Sequence, residues 1–294
     1  MTEYTLKEWV VEWLYTYKRI LIKPSTFDSY LQYSTHIKCE KLLVDVRSSD
    51  VQMMVNEMVT DGLQLSTVKH ALTVLRQSLR KARQLGMIDS MACMDEIELP
   101  KAAPKKIAPL TSEQINLLLD NAHQTFFGDF YIALLFTGCR VGELIALRWT
   151  DIDFFNNCIY ICNTDYNGQL QSVKTANGVR CIPLYGKLYS ILSERYKLPR
   201  GERVFLNTLG RPIVYRTLLD NWHWFCNSIG LYEPIGFHVL RHTFAHTALR
   251  NGVPIKVVSS WLGHADVSIT LNIYDSVDSS DMKNAAHQLE AAFG

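Results

Sequence analysis

Hydrophobic residues recur at helical spacing through the first hundred residues and predict four amphipathic helices. Thr5 and Glu8 form a capping box in front of the first helix. Pro24 opens the second helix, and Ser48 or its neighbouring serine is the expected cap of the third. The fourth helix covers residues 66–85 and is followed by a glycine. The pattern therefore predicts a helical domain at the start of the chain.

The fourth predicted helix has two stripes of side chains in helical register. One stripe is apolar and would face the core. The other is basic and consists of Lys69, Arg76, Arg80 and Arg83. A basic stripe is either a solvated helix face or a surface that lies against DNA phosphates or in a major groove. Both interpretations stay open on this pattern alone.

Residues 100–109 interrupt the helical pattern with three prolines and three lysines. This composition is typical of an extended, basic linker. We therefore predict a helical domain over residues 1–99, a linker over 100–109 and a second domain over 110–294. Lys105 and Lys106 are candidate DNA contacts, although linkers are often basic for solubility alone.

The second domain begins with helical patterns and then changes to short strands. Thr111 and Gln114 cap one helix, and a nearly all-apolar helix ends at Gly138. Runs at 158–162, 169–173 and 179–183 alternate with Asn-Gly turn signals and predict a three-stranded antiparallel sheet. Helical patterns return after the strands. The expected fold class is mainly α with a small antiparallel β-sheet, in two domains.

Two candidate site residues precede the strands and one lies within them. Arg140 falls in the first turn of a helix, where free backbone N–H groups and the helix dipole favour an anion. Glu143, one turn later, could orient its guanidinium, or the two could form a purely structural pair. Lys174 lies at the second strand turn, where its amine could reach a substrate or could be an ordinary exposed lysine.

Residues 236–274 concentrate polar side chains within a helical, apolar segment. His238 and Arg241 are one helical turn apart, and Arg241 lies beside a face that should be buried. An anion is therefore expected to compensate the charge of Arg241. His264 follows a glycine that ends a helix, and a short apolar segment then leads to Tyr274. Guanidinium, imidazole and phenol groups together suit attack on a phosphate.

Composition narrows the function classes without deciding between them. The net charge of +1 means that any nucleic-acid surface must be basic locally rather than throughout the chain. The seven cysteines form no CxxC pair, which favours a reducing cytoplasm and no disulfide framework. No apolar run approaches the ~20 residues of a membrane span, so we expect no membrane partner.

Metal chemistry is not predicted. Three histidines spaced by four, His238, His242 and His246, cover too much helix for one ion, because eight residues rise ~12 Å. The acidic residues are dispersed and suggest no two-metal site.

Taken in order and spacing, these motifs resemble the tyrosine recombinase (phage integrase) family. The motifs that carry the resemblance are Thr137–Glu143, Lys174-Thr175, His238–His242, Leu262–His264 and Tyr274. The first domain resembles the family's helical core-binding domain more loosely, by size, helix count and position. Ser276 stands where many members have a histidine, and an additional N-terminal arm-binding domain, common among integrases, is not evident.

The resemblance implies a catalytic role for each motif. Arg140 and Arg241 would hold the scissile phosphate and neutralise its transition-state charge, with Glu143 supporting Arg140. Tyr274 would attack phosphorus and form a 3′-phosphotyrosyl ester, and Lys174 would protonate the leaving 5′-hydroxyl.

The remaining implications concern the histidines, cofactors and partners. His238 would assist deprotonation of the tyrosine, and His264 would hydrogen-bond a phosphate oxygen. The stored ester requires neither ATP nor metal, so no cofactor is expected. The implied partners are double-stranded DNA with specific recombination sites, three further copies in a synaptic homotetramer, and accessory DNA-bending or directionality factors. The tail at 279–293 would dock on a neighbouring protomer or on its own domain.

Two other functions remain compatible with the residues. A type IB topoisomerase-like enzyme would share the cleavage step but would relax DNA without exchanging strands. A DNA-binding regulator with decayed catalysis would bind a site without cutting it, although the complete set of residues argues against this alternative.

Overall fold

The computed structural model describes residues 4–101, 108–172, 179–198, 201–232 and 235–271. The chain divides into two compact units, Met1–Lys105 and Lys106–Gly294. Each unit has its own hydrophobic core. No helix within the described ranges is both long enough and apolar enough to cross a bilayer.

The first unit is helical, as the periodicity predicts. Its α-helices are α1 (Leu6–Trp13), α2 (Pro24–Ser34), α3 (Ser48–Thr60) and α4 (Leu65–Gln84). A π-helical turn, Leu14–Lys18, continues α1, and 3₁₀ turns lie at Leu43–Asp45 and Ala92–Met94. All four helices contribute to the core, and the Trp9 indole N–H donates to the Ser78 carbonyl oxygen at 2.9 Å.

One of the two helix caps predicted for this unit is present, and the other is replaced by a different residue. The Thr5–Glu8 capping box is present, with Thr5 N–H donating to Glu8 at 2.9 Å. The serine expected to cap α3 instead begins the helix, and Arg47 occupies the capping position. The prediction was wrong because Asp50, three residues later, accepts the Arg47 backbone N–H at 2.9 Å. A carboxylate there satisfies a free donor as well as a serine cap would.

The second unit surrounds the nearly fully buried helix α6. Its helices, in chain order, are α5 (Ser112–Asn121), α6 (Gly128–Thr137), α7 (Val141–Ala146), α8 (Gly186–Lys197), α9 (Tyr215–Ser228), α10 (His238–Arg250), α11 (Ile255–Leu262) and α12 (Val267–Leu271). Further 3₁₀ turns lie at Ala122–Gln124 and Trp149–Asp151. Thr111 and Gln114 cap α5 reciprocally, as predicted.

The strands are paired differently from the predicted three-stranded sheet. They are β1 (Ile152–Asp153), β2 (Cys158–Ile161), β3 (Asn163–Tyr166), β4 (Gln169–Ser172) and β5 (Arg180–Pro183). An antiparallel sheet has the order β1-β2-β5, and β3 and β4 form a separate hairpin. The hairpin turns at Asn167-Gly168, where both residues have positive φ, as the sequence indicates.

The separate hairpin has a physical cause in the contacts of β3. Arg203 donates to the Asp165 carboxylate at 2.6 Å, in a pair that is almost fully buried. Gly142 of α7 lies against the same strand so closely that a Cβ there would be 2.9 Å from the Asp165 carbonyl oxygen. The Gly142 contact holds β3 against α7 and the Arg203 pair ties it to the segment between α8 and α9, which leaves β2 free to pair directly with β5.

Candidate active site

The junction between α6 and α7 fixes the position of Arg140. Gly138 ends α6 in the left-handed conformation, with φ of 62°. A Cβ on this glycine would lie 2.5 Å from Phe244 Cδ1 and 2.9 Å from Leu262 Cδ2. Only glycine fits this turn without displacing either side chain.

Arg140 is the capping residue of α7, one position before the first turn in which the sequence places it. Its backbone N–H donates to Glu143 Oε2 at 2.8 Å, and its guanidinium donates to Glu143 Oε1 at 2.9 Å. The Arg140 side chain is 46 % exposed, whereas Glu143 is 3 % exposed. A buried carboxylate therefore orients a guanidinium that stays open to a ligand.

Arg241 is held by backbone rather than by a carboxylate. It projects from α10, is 8 % exposed, and donates to the Gly138 and Leu262 carbonyl oxygens at 2.8 and 2.7 Å. These carbonyls lie at the carboxyl ends of α6 and α11, where helix dipoles are negative. Among the described residues, no carboxylate forms an ion pair with Arg241.

Burial and neighbouring positive charge both act on Arg241. Together, desolvation and the nearby Arg140 and Arg180 lower the pKa of Arg241 to about 10. The guanidinium therefore remains charged at neutral pH but lacks a full counter-charge. The anion that the sequence leads us to expect is not supplied by the described part of the chain.

Two of the predicted histidines lie in the field of these arginines. Burial, followed by Arg241 and Arg140, lowers the pKa of His238. The same influences, with Arg180 and His242 added, lower the pKa of His264 to about 4. His264 Nδ1 lies 2.8 Å from the Thr270 hydroxyl, and Gly263 sets the turn before it with φ of 66°. Both imidazoles are therefore neutral at pH 7 and can accept a hydrogen bond or a proton.

Arg180 is a site residue that the sequence reasoning missed. It lies on β5, is 3 % exposed, and donates to Glu143 Oε2 at 2.7 Å and Glu143 Oε1 at 3.2 Å. Burial alone would raise the pKa of Glu143, but the Arg180 and Arg140 contacts outweigh it and lower that pKa. Strand alternation could have revealed Arg180, because it shares a face with the fully buried Ile182.

Other predicted residues lie elsewhere or outside the described part of the chain. Lys69, Arg76, Arg80 and Arg83 are all exposed on α4 of the first unit, and none forms an ion pair among the described residues. Lys174, Tyr274, Lys105 and Lys106 lie outside the described residues, as does the tail at 279–293.

The assembled site is an unsaturated anion-binding centre. Three guanidinium groups face one carboxylate, so two positive charges are left over among Arg140, Arg180, Arg241 and Glu143. Neutral imidazoles border them, and the nearby Cys139 thiol stays protonated because burial raises its pKa to about 11. Fixed positive charge of this kind stabilises a phosphate that gains negative charge during a reaction.

The fold is shared with solved structures of DNA integrases. The Tn1549 transposon integrase in complex with a circular intermediate DNA superposes with a TM-score of 0.82 at 19 % identity, covering 98 % of this chain and all of that one. A lambda integrase tetramer bound to a Holliday junction superposes with a TM-score of 0.72 at 20 % identity, covering 89 % of this chain and 78 % of that one.

Sequence comparison then defines the family. Residues 109–280 match the phage integrase family, so the chain belongs to it. A tyrosine recombinase XerC-like protein of Caldanaerobacter subterraneus subsp. tengcongensis is 28 % identical over 326 residues, covering 98 % of this chain and 83 % of that protein. The resemblance drawn from the sequence motifs is thereby confirmed.

Proposed function

We propose that this protein is a site-specific DNA recombinase that cleaves and rejoins strands through a 3′-phosphotyrosyl intermediate on Tyr274. One observation carries the proposal. Arg140 and Arg241 are about a hundred residues apart in the sequence, yet both lower the pKa of His238 and of His264. The buried Arg241 has only carbonyl partners among the described residues. A DNA phosphate would supply the missing anion.

In the proposed reaction, Arg140 and Arg241 bind the non-bridging oxygens of the scissile phosphate. The Tyr274 phenol attacks phosphorus, its proton passes to His238, and the bond to the 5′-oxygen breaks. Lys174 gives a proton to that leaving oxygen. The new ester conserves the energy of the broken bond, so a 5′-hydroxyl from another strand can reverse the step without ATP or metal.

The supporting residues have separate tasks. The neutral His264 donates a hydrogen bond to a phosphate oxygen from its free ring nitrogen, since the other nitrogen lies against Thr270. Glu143 keeps the Arg140 guanidinium in place. Both groups are already in position before the reaction begins, so they need not reorganise when negative charge develops on the phosphate.

Binding to the duplex involves a second surface. The exposed basic stripe of α4, Lys69, Arg76, Arg80 and Arg83, lies on a helix that contains no acidic residue. We infer that it contacts DNA phosphates, with help from Lys105 and Lys106 in the linker over 100–109, so that residues 1–99 bind DNA and residues 110–294 cut it.

Assembly follows from the need to exchange four strands. We infer a homotetramer on two synapsed duplexes, in the bacterial cytoplasm, with accessory DNA-bending or directionality factors as further partners. The shared fold of lambda integrase, which has been solved as a tetramer on a Holliday junction, supports this inference. The recombinases, transposase and integrases among the relatives favour strand exchange over a relaxing topoisomerase or a decayed regulator.

The test is to trap the intermediate. Covalent capture of sheared genomic DNA by the protein, followed by sequencing, would identify its site, and a duplex of that site with a nick beside the cleavage point would make the adduct irreversible. Wild type and a Tyr160→Phe control, which changes an exposed tyrosine of β2, should give a denaturant-resistant adduct. Persistence of the adduct in Tyr274→Phe would rule the assignment out.

A further inference from the structure

The buried ion pair beneath Arg140 contains a residue to which no role in the reaction has yet been given. We propose that Arg180 is a positioning residue of strand cleavage: it holds Glu143 and the end of α11 together, and thereby aims the Arg140 guanidinium and the His264 imidazole at one phosphate. The proposal rests on the recombinase function inferred above.

Arg140 and Arg180 share the Glu143 carboxylate. Arg140 takes one Glu143 oxygen with its guanidinium and the other with its backbone N–H. Arg180 donates to the same two oxygens from its two terminal nitrogens. Within the described ranges, Glu143 thus accepts four hydrogen bonds. A buried carboxylate with this many donors has a single low-energy orientation, so Arg180 restricts where Arg140 can point.

Arg180 also links β5 to a second element of the site. The Arg180 Nε–H donates to the Trp261 carbonyl oxygen near the end of α11. The next carbonyl, that of Leu262, accepts from Arg241. Gly263 and His264 follow directly, so β5 anchors the turn that carries the imidazole.

These contacts depend on the planar geometry of the Arg180 guanidinium as well as on its charge. Arg180 uses all three guanidinium nitrogens toward two elements, α7 and the end of α11. A lysine at this position has one ammonium group and cannot reproduce that planar pattern. Arg180 is itself 3 % exposed, beneath the half-exposed Arg140. It therefore acts through Glu143 and the turn rather than by touching DNA.

The experiment compares Arg180→Lys, Arg180→Gln, Glu143→Gln and the Arg180→Gln/Glu143→Gln double variant. The matched control is Arg195→Lys, which alters an Arg–Asp pair between α8 and α6 at 2.9 Å. For each protein, the single-turnover rate of adduct formation, the Kd for DNA and the Tm are measured.

The proposal predicts that both Arg180 variants lower the cleavage rate by about 10- to 100-fold with little change in Kd, because misplacement of a catalytic group by about 1 Å has effects of this size. Lysine should not rescue the rate. The double variant should be no slower than the slower single variant, since both changes remove one unit. The control should cleave at the wild-type rate.

Several outcomes would overturn the proposal. Wild-type cleavage by Arg180→Lys would mean that charge alone matters. Multiplying effects in the double variant would mean that Arg180 acts independently of Glu143. An equal loss of affinity and rate would indicate direct DNA contact, and losses that follow Tm across all variants would indicate a purely structural role. Absence of any adduct with wild type, in contrast, would contradict the recombinase function itself.

Discussion

At the scale of single residues, the site combines arginines that pair with a carboxylate, Arg140 and Arg180, with one that does not, Arg241. Arg140 and Arg180 share the single negative charge of Glu143, whereas Arg241 is fixed by two carbonyl oxygens. Carbonyl dipoles hold a guanidinium in place without cancelling its charge. Arg241 is therefore both rigid and attractive to an anion, which suits stabilisation of a transition state more than simple affinity.

Replacement of Arg140 or Arg241 should affect cleavage much more than binding. We expect Arg140→Ala and Arg241→Ala to slow adduct formation by about 10²- to 10³-fold, the range found when one donor to a developing charge is removed. The Kd for DNA should change far less, because other contacts bind the ground state. Single-turnover rates and titrations measure the two effects. Arg216→Ala, an exposed arginine paired with Asp220 on α9, is the control, and equal losses of rate and affinity would contradict the assigned role.

The protonation of His264 should make stability depend on pH in a defined window. Folding lowers its pKa from 6.5 to about 4, so the unfolded chain binds this proton more readily. The free energy of unfolding should therefore fall as pH decreases from about 6.5 towards about 4, and this contribution should level off below. Urea unfolding of wild type and His264→Asn at several pH values tests the claim. An equally steep loss in the variant would show that His264 is not the cause.

At the scale of elements, the site is formed where helices end. Gly138 and Gly263 end α6 and α11 in the left-handed conformation, and each is followed within two residues by a site side chain. The carboxyl ends of α6 and α11 provide carbonyl oxygens that accept from Arg241, and the start of α7 provides the Arg140 backbone N–H, which donates to Glu143. The helix ends therefore both turn the chain towards the site and provide hydrogen-bond partners for Arg241 and Glu143.

Substitution of Gly138 tests this dependence on turn geometry. Gly138→Ala places a Cβ 2.5 Å from Phe244, in a backbone conformation that already disfavours a side chain. Gly210→Ala is the matched control, because Gly210 has φ of +69° and open space around it. We expect Gly138→Ala to be more destabilising by about 1–3 kcal/mol, the usual effect of overpacking. Equal Tm values for the two variants would mean that the clash relaxes.

The basic stripe of α4 should be visible in the salt dependence of binding. Replacement of Arg76, Arg80 and Arg83 by Gln should weaken DNA binding and reduce the slope of log K against log salt by about 0.9 for each phosphate that is no longer neutralised. Lys7→Gln, at a lysine paired with Glu40 at 2.7 Å, is the control from the same unit. An unchanged slope would mean that the stripe is a solvated helix face that does not contact DNA.

The sequence predicted elements best where a single local cause determines them. The Thr5–Glu8 box, the Gly138 turn and the Asn167-Gly168 hairpin each depend on neighbours within a few residues, and each is present. The predicted three-stranded pairing was wrong because β3 is held by Arg203 and Gly142, which are distant from β3 along the chain. Arg180 was missed for the same reason, since its partner Glu143 is 37 residues away.

At the scale of the whole molecule, the two units have different tasks in the proposed function. The first carries an exposed basic helix and the second carries the anion-binding centre. The motifs of the second unit could be recognised from the sequence because their order and spacing are specific to a family, whereas the charge balance of the site required the three-dimensional contacts of Arg180 and Arg241.

Assembly on DNA gives a prediction at this scale. We expect one protein molecule per recombination half-site and four in the synaptic complex, because exchange between two duplexes requires four cleavage events. Mass photometry over a range of protein concentrations, with and without site DNA, measures the stoichiometry. Removal of residues 279–294 should abolish the tetramer while single duplexes are still bound. Full tetramer formation by the shortened chain would indicate that the tail docks on the catalytic domain of its own protomer and not on a neighbour.

The most direct test of the account is to identify the residue that carries the DNA. After trapping with the nicked substrate, nuclease and protease digestion followed by mass spectrometry should yield one modified peptide, with a 3′-linked nucleotide phosphate on Tyr274. The same digest of Arg241→Ala should contain this peptide at a greatly reduced level. A nucleotide attached to any other residue, or an adduct whose yield is unaffected by loss of Arg241, would contradict the central claim that these side chains meet at one phosphate.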